Sequence, residues 1–96
     1  MIAAMATVLD FAPEEWSSGT RMVAIALADR VNSDRQAWPA LSDLARRTGL
    51  SERQVRRNLR ILEDAGVIRC EGQRWVGDNP VSNVWTWLWV LPGGRT

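Results

Sequence analysis

Six arginines crowd into the fifteen residues from Arg46 to Arg60, at positions 46, 47, 53, 56, 57 and 60, with one acid, Glu52, among them, a local net charge of +5. The rest of the 96-residue chain sets six arginines against ten acids, a net of −4, so the overall +1 hides a separation of sign along the chain. A merely solvated helix face would interleave acids at i+4 to neutralise its cations, and this stretch nearly lacks them. All twelve positive charges are arginine. A GC-rich coding sequence is the simplest source of that bias, yet arginine's planar fork also suits phosphate oxygens and the guanine edge better than lysine's point charge. The chemistry this stretch could do is therefore the binding of a polyanion.

Other chemistries lack their residues. Cys70 is the single cysteine and histidine is absent, which removes intramolecular disulfides, Cys/His zinc sites and histidine-dependent catalysis. The paired acids Glu14 and Glu15, and Glu63 and Asp64, are neighbours whose side chains diverge on a helix, unlike the facing carboxylates of a glycosidase. No enzyme activity, cofactor, metal or small-molecule substrate is expected, and Cys70 is expected to fill strand packing. At 46% hydrophobic and 24% charged residues, 96 residues suffice for one domain with one modest core. The longest apolar stretches, such as Met22 to Ala28, fall far short of the ~20 residues that cross a bilayer. Met1 to Val8 lacks the basic start of a secretion signal, so a cytoplasmic protein is expected.

The elements that must position the basic stretch can be read from period and punctuation. An N-terminal arm, residues 1–12, leads to a first helix over 18–31, capped by Ser17 or Ser18 and broken by Asn32, Ser33 and Asp34. Trp38 and Pro39 close a polar loop and place a second helix over 40–48, with Leu41, Leu44 and Ala45 on one face. Gly49 ends it in a tight turn. A third helix over 51–65 is capped by Ser51 and carries Val55, Leu59 and Leu62 at i, i+4 and i+7. Past Gly66 the period becomes two, and 67–91 reads as a hairpin turning at Gly77 to Pro80, with the tail 92–96 beyond.

The run Leu44, Ala45, Thr48, Gly49, Leu50, Ser51, Val55, Arg57, Leu59, Leu62, Gly66, Val67 and Ile68 resembles the core of winged helix-turn-helix DNA-binding domains. Trp38, Pro39, Asn83 and Trp85 are similar to residues that recur in the small domains of phage and plasmid replication proteins and some bacterial repressors. The resemblance, over about Met22 to Leu88, implies a mainly α fold, a three-helix bundle plus a two- or three-stranded wing, with double-stranded DNA as partner. The motif's physics points the same way. With Val55, Leu59 and Leu62 docked inward, Arg53, Arg56, Arg57 and Arg60 share the outer face, and a helix of about 10–12 Å diameter fits a major groove about 12 Å wide. Arg53, Gln54 and Arg57 are expected to read bases. Ser51, Arg46, Arg47, Arg56, Arg60 and Arg74 are expected at phosphates, with helix capping the first role of Ser51 and dipole compensation an equal role for Arg46 and Arg47.

The hairpin tip, Gly77 to Pro80, lacks the basic residue that winged proteins often place in the minor groove. Trp85, Trp87 and Trp89 alternate with Val84, Thr86, Leu88 and Val90, so both strand faces are apolar. A cover is expected, either residues 1–11 folded back as a strand or short helix, or a homodimer or partner contact on Trp85, Trp87 and Trp89. The leading functional expectation is a sequence-specific transcriptional regulator from a phage, plasmid or integrated element. The alternatives are a replication initiation or accessory protein of a mobile element, and a winged-helix protein-interaction module that has lost DNA.

Overall fold

Ser17 starts the helical core. Its hydroxyl accepts from the Thr20 backbone N–H at 3.1 Å, satisfying one of the orphan donors of the helix that follows. The computed structural model describes residues 2–89. It has four helices, α1 (Ile2–Phe11), α2 (Ser18–Asp29), α3 (Leu41–Thr48) and α4 (Glu52–Asp64), and three strands, β1 (Gln36–Ala37), β2 (Ile68–Val76) and β3 (Asn79–Trp87). The antiparallel sheet has the order β1-β3-β2. Helices α2, α3 and α4 pack on one another and the sheet closes the core beside them. This is a mainly helical winged helix-turn-helix arrangement. The tail 92–96, with Val90 and Leu91 of the expected strand, lies outside the described residues.

The α3–α4 turn is built as its sequence demands. Gly49 sits at φ 78° as the left-handed C-cap of α3, and its N–H returns to the Ala45 carbonyl at 2.9 Å. Ser51 then opens α4 with a full capping box. Ser51 Oγ accepts from the Gln54 N–H, and Gln54 Oε1 accepts from the Ser51 N–H, which satisfies two orphan donors reciprocally. Val55, Leu59 and Leu62 are buried against α2 and α3.

Three expectations need correction. Trp85 and Trp87 are 6% and 2% exposed and belong to the core, while Trp89 stacks on Trp16 at 5.4 Å between ring centroids. Trp85 and Trp87 are therefore closed to a partner, and Trp89 is the part-exposed ring of the three. Residues 2–11 form a helix, but it packs on α2. The sheet face bearing Val84, Thr86 and Leu88 stays part-exposed, made polar by Glu71 Oε2, which accepts from Thr86 at 2.7 Å and Arg69 at 2.6 Å. Those two bonds, Thr86's first, hold the Glu71 carboxyl below its ordinary range. Cys70 lies exposed on β2 instead of filling strand packing.

Two local features were not expected. β1 forms within the segment read as a loop, because Asn32 Oδ1 accepts from the Asp34 and Gln36 N–H groups and turns the chain. Arg35 then takes φ 65°, a conformation that costs an ordinary residue about 1–2 kcal/mol. It is held there by its Nε on the Trp87 carbonyl at 3.0 Å, its Nη2 on the Trp89 carbonyl, and the Trp87 N–H on its own carbonyl at 2.7 Å. The hairpin turns on two residues, Gly77 and Asp78, with Gly77 at φ 60°. Pro80 therefore falls inside β3, where β1 does not reach and no ladder donor is required of it.

Candidate functional site

Successive residues of α4 are turned by about 100°. With Val55, Leu59 and Leu62 facing inward, that rotation places Arg53, Arg57 and Arg60 along the outward ridge. Arg56 is displaced toward α3 and the wing, and Gln54 toward α2. All four arginines are exposed. Glu52 precedes Arg56 by four residues and Asp64 follows Arg60 by four, yet the described residues contain no ion pair to Arg53, Arg56, Arg57 or Arg60.

The remaining described arginines are all engaged. Arg47 donates to the Ala26 carbonyl at 3.1 Å and to Asp29 at 2.6 Å, tying α3 to α2, and its side chain is only 24% exposed. Arg46 and Arg30 meet on Asp43, at 2.7 and 3.5 Å. Arg21 donates to the carbonyls of Pro13 and Trp16, Arg35 to those of Trp87 and Trp89, and Arg69 to Glu71. Arg74 lies over the Trp38 ring, 5.6 Å from its centroid. Of the residues expected at phosphates, Arg47 is thus committed to helix packing, Arg46 to its own helix and Arg74 to an aromatic face. Ser51 caps α4 while its hydroxyl proton stays available.

Gln54 stands on a flank, and its Oε1 is occupied by the capping box. Reading adenine bidentately needs both ends of the amide. Release of the box costs about 0.5–2 kcal/mol against the ~1–3 kcal/mol such a pair contributes, so the net discrimination from Gln54 is small.

One positioning residue escaped the sequence reading. Asn58 lies on the inner side of α4, 8% exposed, and its Oδ1 accepts from Thr20 Oγ1 at 2.7 Å. This buried bond fixes the rotation of α4 against α2. The available signal was its place three residues after Val55 and four before Leu62, inside the apolar stripe.

Between α4 and the wing runs an open cleft lined by Ala40, Ser42, Arg56, Gln73 and Asn83, with one carboxylate, Glu52, among the other residues of its wall. The N-terminus of α3 faces it without a side-chain cap, because Ala40 stands at the N-cap. Its first N–H groups are therefore free to meet an anion.

A family model described as a helix-turn-helix domain matches residues 17–68, from the cap of α2 to the first residue of β2. The chain belongs to this family. It is a family of DNA-binding domains, typically non-enzymatic, and the match covers each element that positions α4. No curated protein and no solved structure matches the chain. Among the described residues no helix is long and apolar enough to cross a membrane.

Proposed function

We propose that the protein binds double-stranded DNA sequence-specifically, with α4 in the major groove, and acts as a transcriptional regulator of a phage, plasmid or integrated element. The observation that carries the reading is the partition of arginines: seven described outside α4 are engaged by the fold, and the four on α4 are free. Arg53 and Arg57, nearest the amino end of the ridge, are assigned to base edges, where an arginine pairs bidentately with guanine. Arg60 continues the ridge toward phosphate. Arg56, with the uncapped start of α3, faces the backbone of one strand across the cleft. The protein-interaction reading loses two of its three rings, since Trp85 and Trp87 are interior.

The test is titration of a mixed-sequence duplex at two salt concentrations, followed by selection of bound fragments from genomic DNA. Affinity should fall with salt at a slope near −0.9 per neutralised phosphate. Arg57→Ala should cost about 1–3 kcal/mol at a selected site and far less on random duplex. Absence of duplex affinity at low salt would refute the reading.

A further inference from the structure

A second hollow lies on the other flank of α4, where the helix passes the start of α2. Its walls include Ser17, Gly19, Gln54, Arg57 and Asn58, and no carboxylate lines it. Its volume of about 420 Å³ far exceeds the ~10–15 Å³ of such space that seats one water.

Hydrogen-bond donors converge there. Asn58 is more than nine-tenths buried, and its bond from Thr20 fixes the amide so that Nδ2 turns toward Gly19. No acceptor among the described residues meets this nitrogen. It is not sealed from solvent either, since the buried side-chain polar atom left unpartnered is Trp87 Nε1. At the α2 N-terminus Ser17 Oγ serves Thr20, which leaves the Ser18 and Gly19 N–H groups without intrahelical partners. Gln54 Nε2 and the unpaired Arg57 guanidinium complete the set. A pocket of donors with a helix N-terminus, a cation and a buried amide suits an oxyanion with several acceptor oxygens.

We propose that this cup holds a backbone phosphate of the DNA strand passing the α2 side of α4, opposite the strand met by Arg56 and α3. The proposal rests on the duplex-binding reading above. A helix seated in a major groove has a phosphate wall on each side, and here each flank of α4 adjoins a helix N-terminus, α3 on one side and α2 on the other. With both occupied, α4 is fixed in roll as well as depth. Free inorganic phosphate would satisfy the same donors, and the experiment separates the two sources.

The decisive variant is Gly19→Ala. A Cβ there would lie 3.4 Å from Asn58 Nδ2, 3.5 Å from Leu50 Cδ1 and 3.7 Å from Ser17 Oγ, ordinary contacts that the fold accommodates, and it would stand within the cup among the residues that line it. Gly19 is helical, so alanine also favours the helix. Wild type and Gly19→Ala are titrated with a mixed-sequence 20-base-pair duplex over a salt series. Separately, sodium phosphate is titrated while the Gly19 N–H and Asn58 side-chain amide resonances are followed.

The expected result is an undiminished melting temperature and a salt slope reduced by about 0.9, roughly 3.5-fold less affinity lost over a fourfold salt increase. The Gly19 and Asn58 resonances should move with phosphate only in wild type. Asn58→Asp, which keeps the acceptor for Thr20 and puts a carboxylate in the cup, should weaken duplex binding further if circular dichroism finds it folded. An unchanged slope in Gly19→Ala overturns the proposal even if wild type binds duplex well. Resonance shifts with phosphate but equal slopes would make the cup a free-anion site and overturn the strand assignment. Failure of wild type to bind duplex defeats the underlying reading instead, and is recognised because Arg53→Ala then has no effect either.

Discussion

Replacing Arg47 and Arg56 separately by alanine should give opposite phenotypes, although the two are neighbours in the same basic stretch. Arg47 holds α3 to α2 through Asp29 at 2.6 Å and the Ala26 carbonyl at 3.1 Å, with its side chain three-quarters buried. A part-exposed ion pair contributes about 0.2–1 kcal/mol, and the hydrogen bond to the carbonyl about 0.5–1.5 kcal/mol. Arg47→Ala should therefore cost about 1–2 kcal/mol of stability, a fall in melting temperature of roughly 5–15 °C for a domain of this size. Its salt slope on random duplex should not change. Arg56 has no ion pair and stands in solvent, so Arg56→Ala should stay within about 0.5 kcal/mol of wild type. Its slope should fall by about 0.9 if Arg56 neutralises one phosphate. Thermal melts by circular dichroism and fluorescence-anisotropy titrations between about 50 and 200 mM salt measure both quantities. If Arg47→Ala flattens the slope at unchanged melting temperature while Arg56→Ala leaves the slope intact, the inference from pairing to function is refuted.

Thr20→Val should destabilise by about 1–3 kcal/mol, because it leaves the Asn58 Oδ1 without its donor in a buried site; urea unfolding should shift in midpoint at constant slope. Gly49→Ala should cost about 1–2 kcal/mol from backbone conformation alone, since a Cβ there meets nothing within 4 Å and φ is +78°; a melting temperature equal to wild type would contradict the left-handed turn. Glu71, whose carboxyl is held low by Thr86 and then Arg69, should stabilise the fold above the unfolded glutamate range and lose that contribution as pH falls through its depressed folded value. Its carboxyl resonance should titrate below the ordinary midpoint in wild type and move upward in Thr86→Val.

The helix boundaries were legible because local signals and tertiary packing agree along α2 to α4. Ser51 and Gln54 form a reciprocal cap, Gly49 and Gly66 both take positive φ, and the Val55, Leu59, Leu62 stripe faces the core. Such agreement across levels makes a sequence readable. The wing was harder. Its apolar alternation gives strands but not which face is core, and a two-residue strand such as β1 leaves no periodic trace. The burial of Trp85 and Trp87 depends on the sheet closing over the helical core, a long-range fact. Arg35 and Asn58 were missed for a related reason. Each is polar, and each has its role set by a partner far along the chain, Trp87 and Thr20 respectively.

A net charge of +1 would ordinarily argue against a polyanion partner, and the fold resolves that objection by geometry. Paired charges cancel at short range, and beyond about a Debye length, ~8–10 Å at physiological salt, they contribute little to the field. Asp29, Asp43 and Glu71 are spent on Arg47, on Arg30 with Arg46, and on Arg69. What remains near α4 is therefore its own four guanidinium groups, attenuated by Glu52 at its first turn and by Glu63 and Asp64 at its last. The acids are the first residue and the last two of the helix and the arginines lie between them, from Arg53 to Arg60, so the cationic field is strongest between the helix ends. In the proposed complex, a field focused in that way would draw the middle of the helix, ahead of the wing, onto the phosphate walls of a groove. The wing has an exposed tip of Trp75, Val76 and Asp78 and a nearby cation stacked on Trp38, and it packs on α4 through β2.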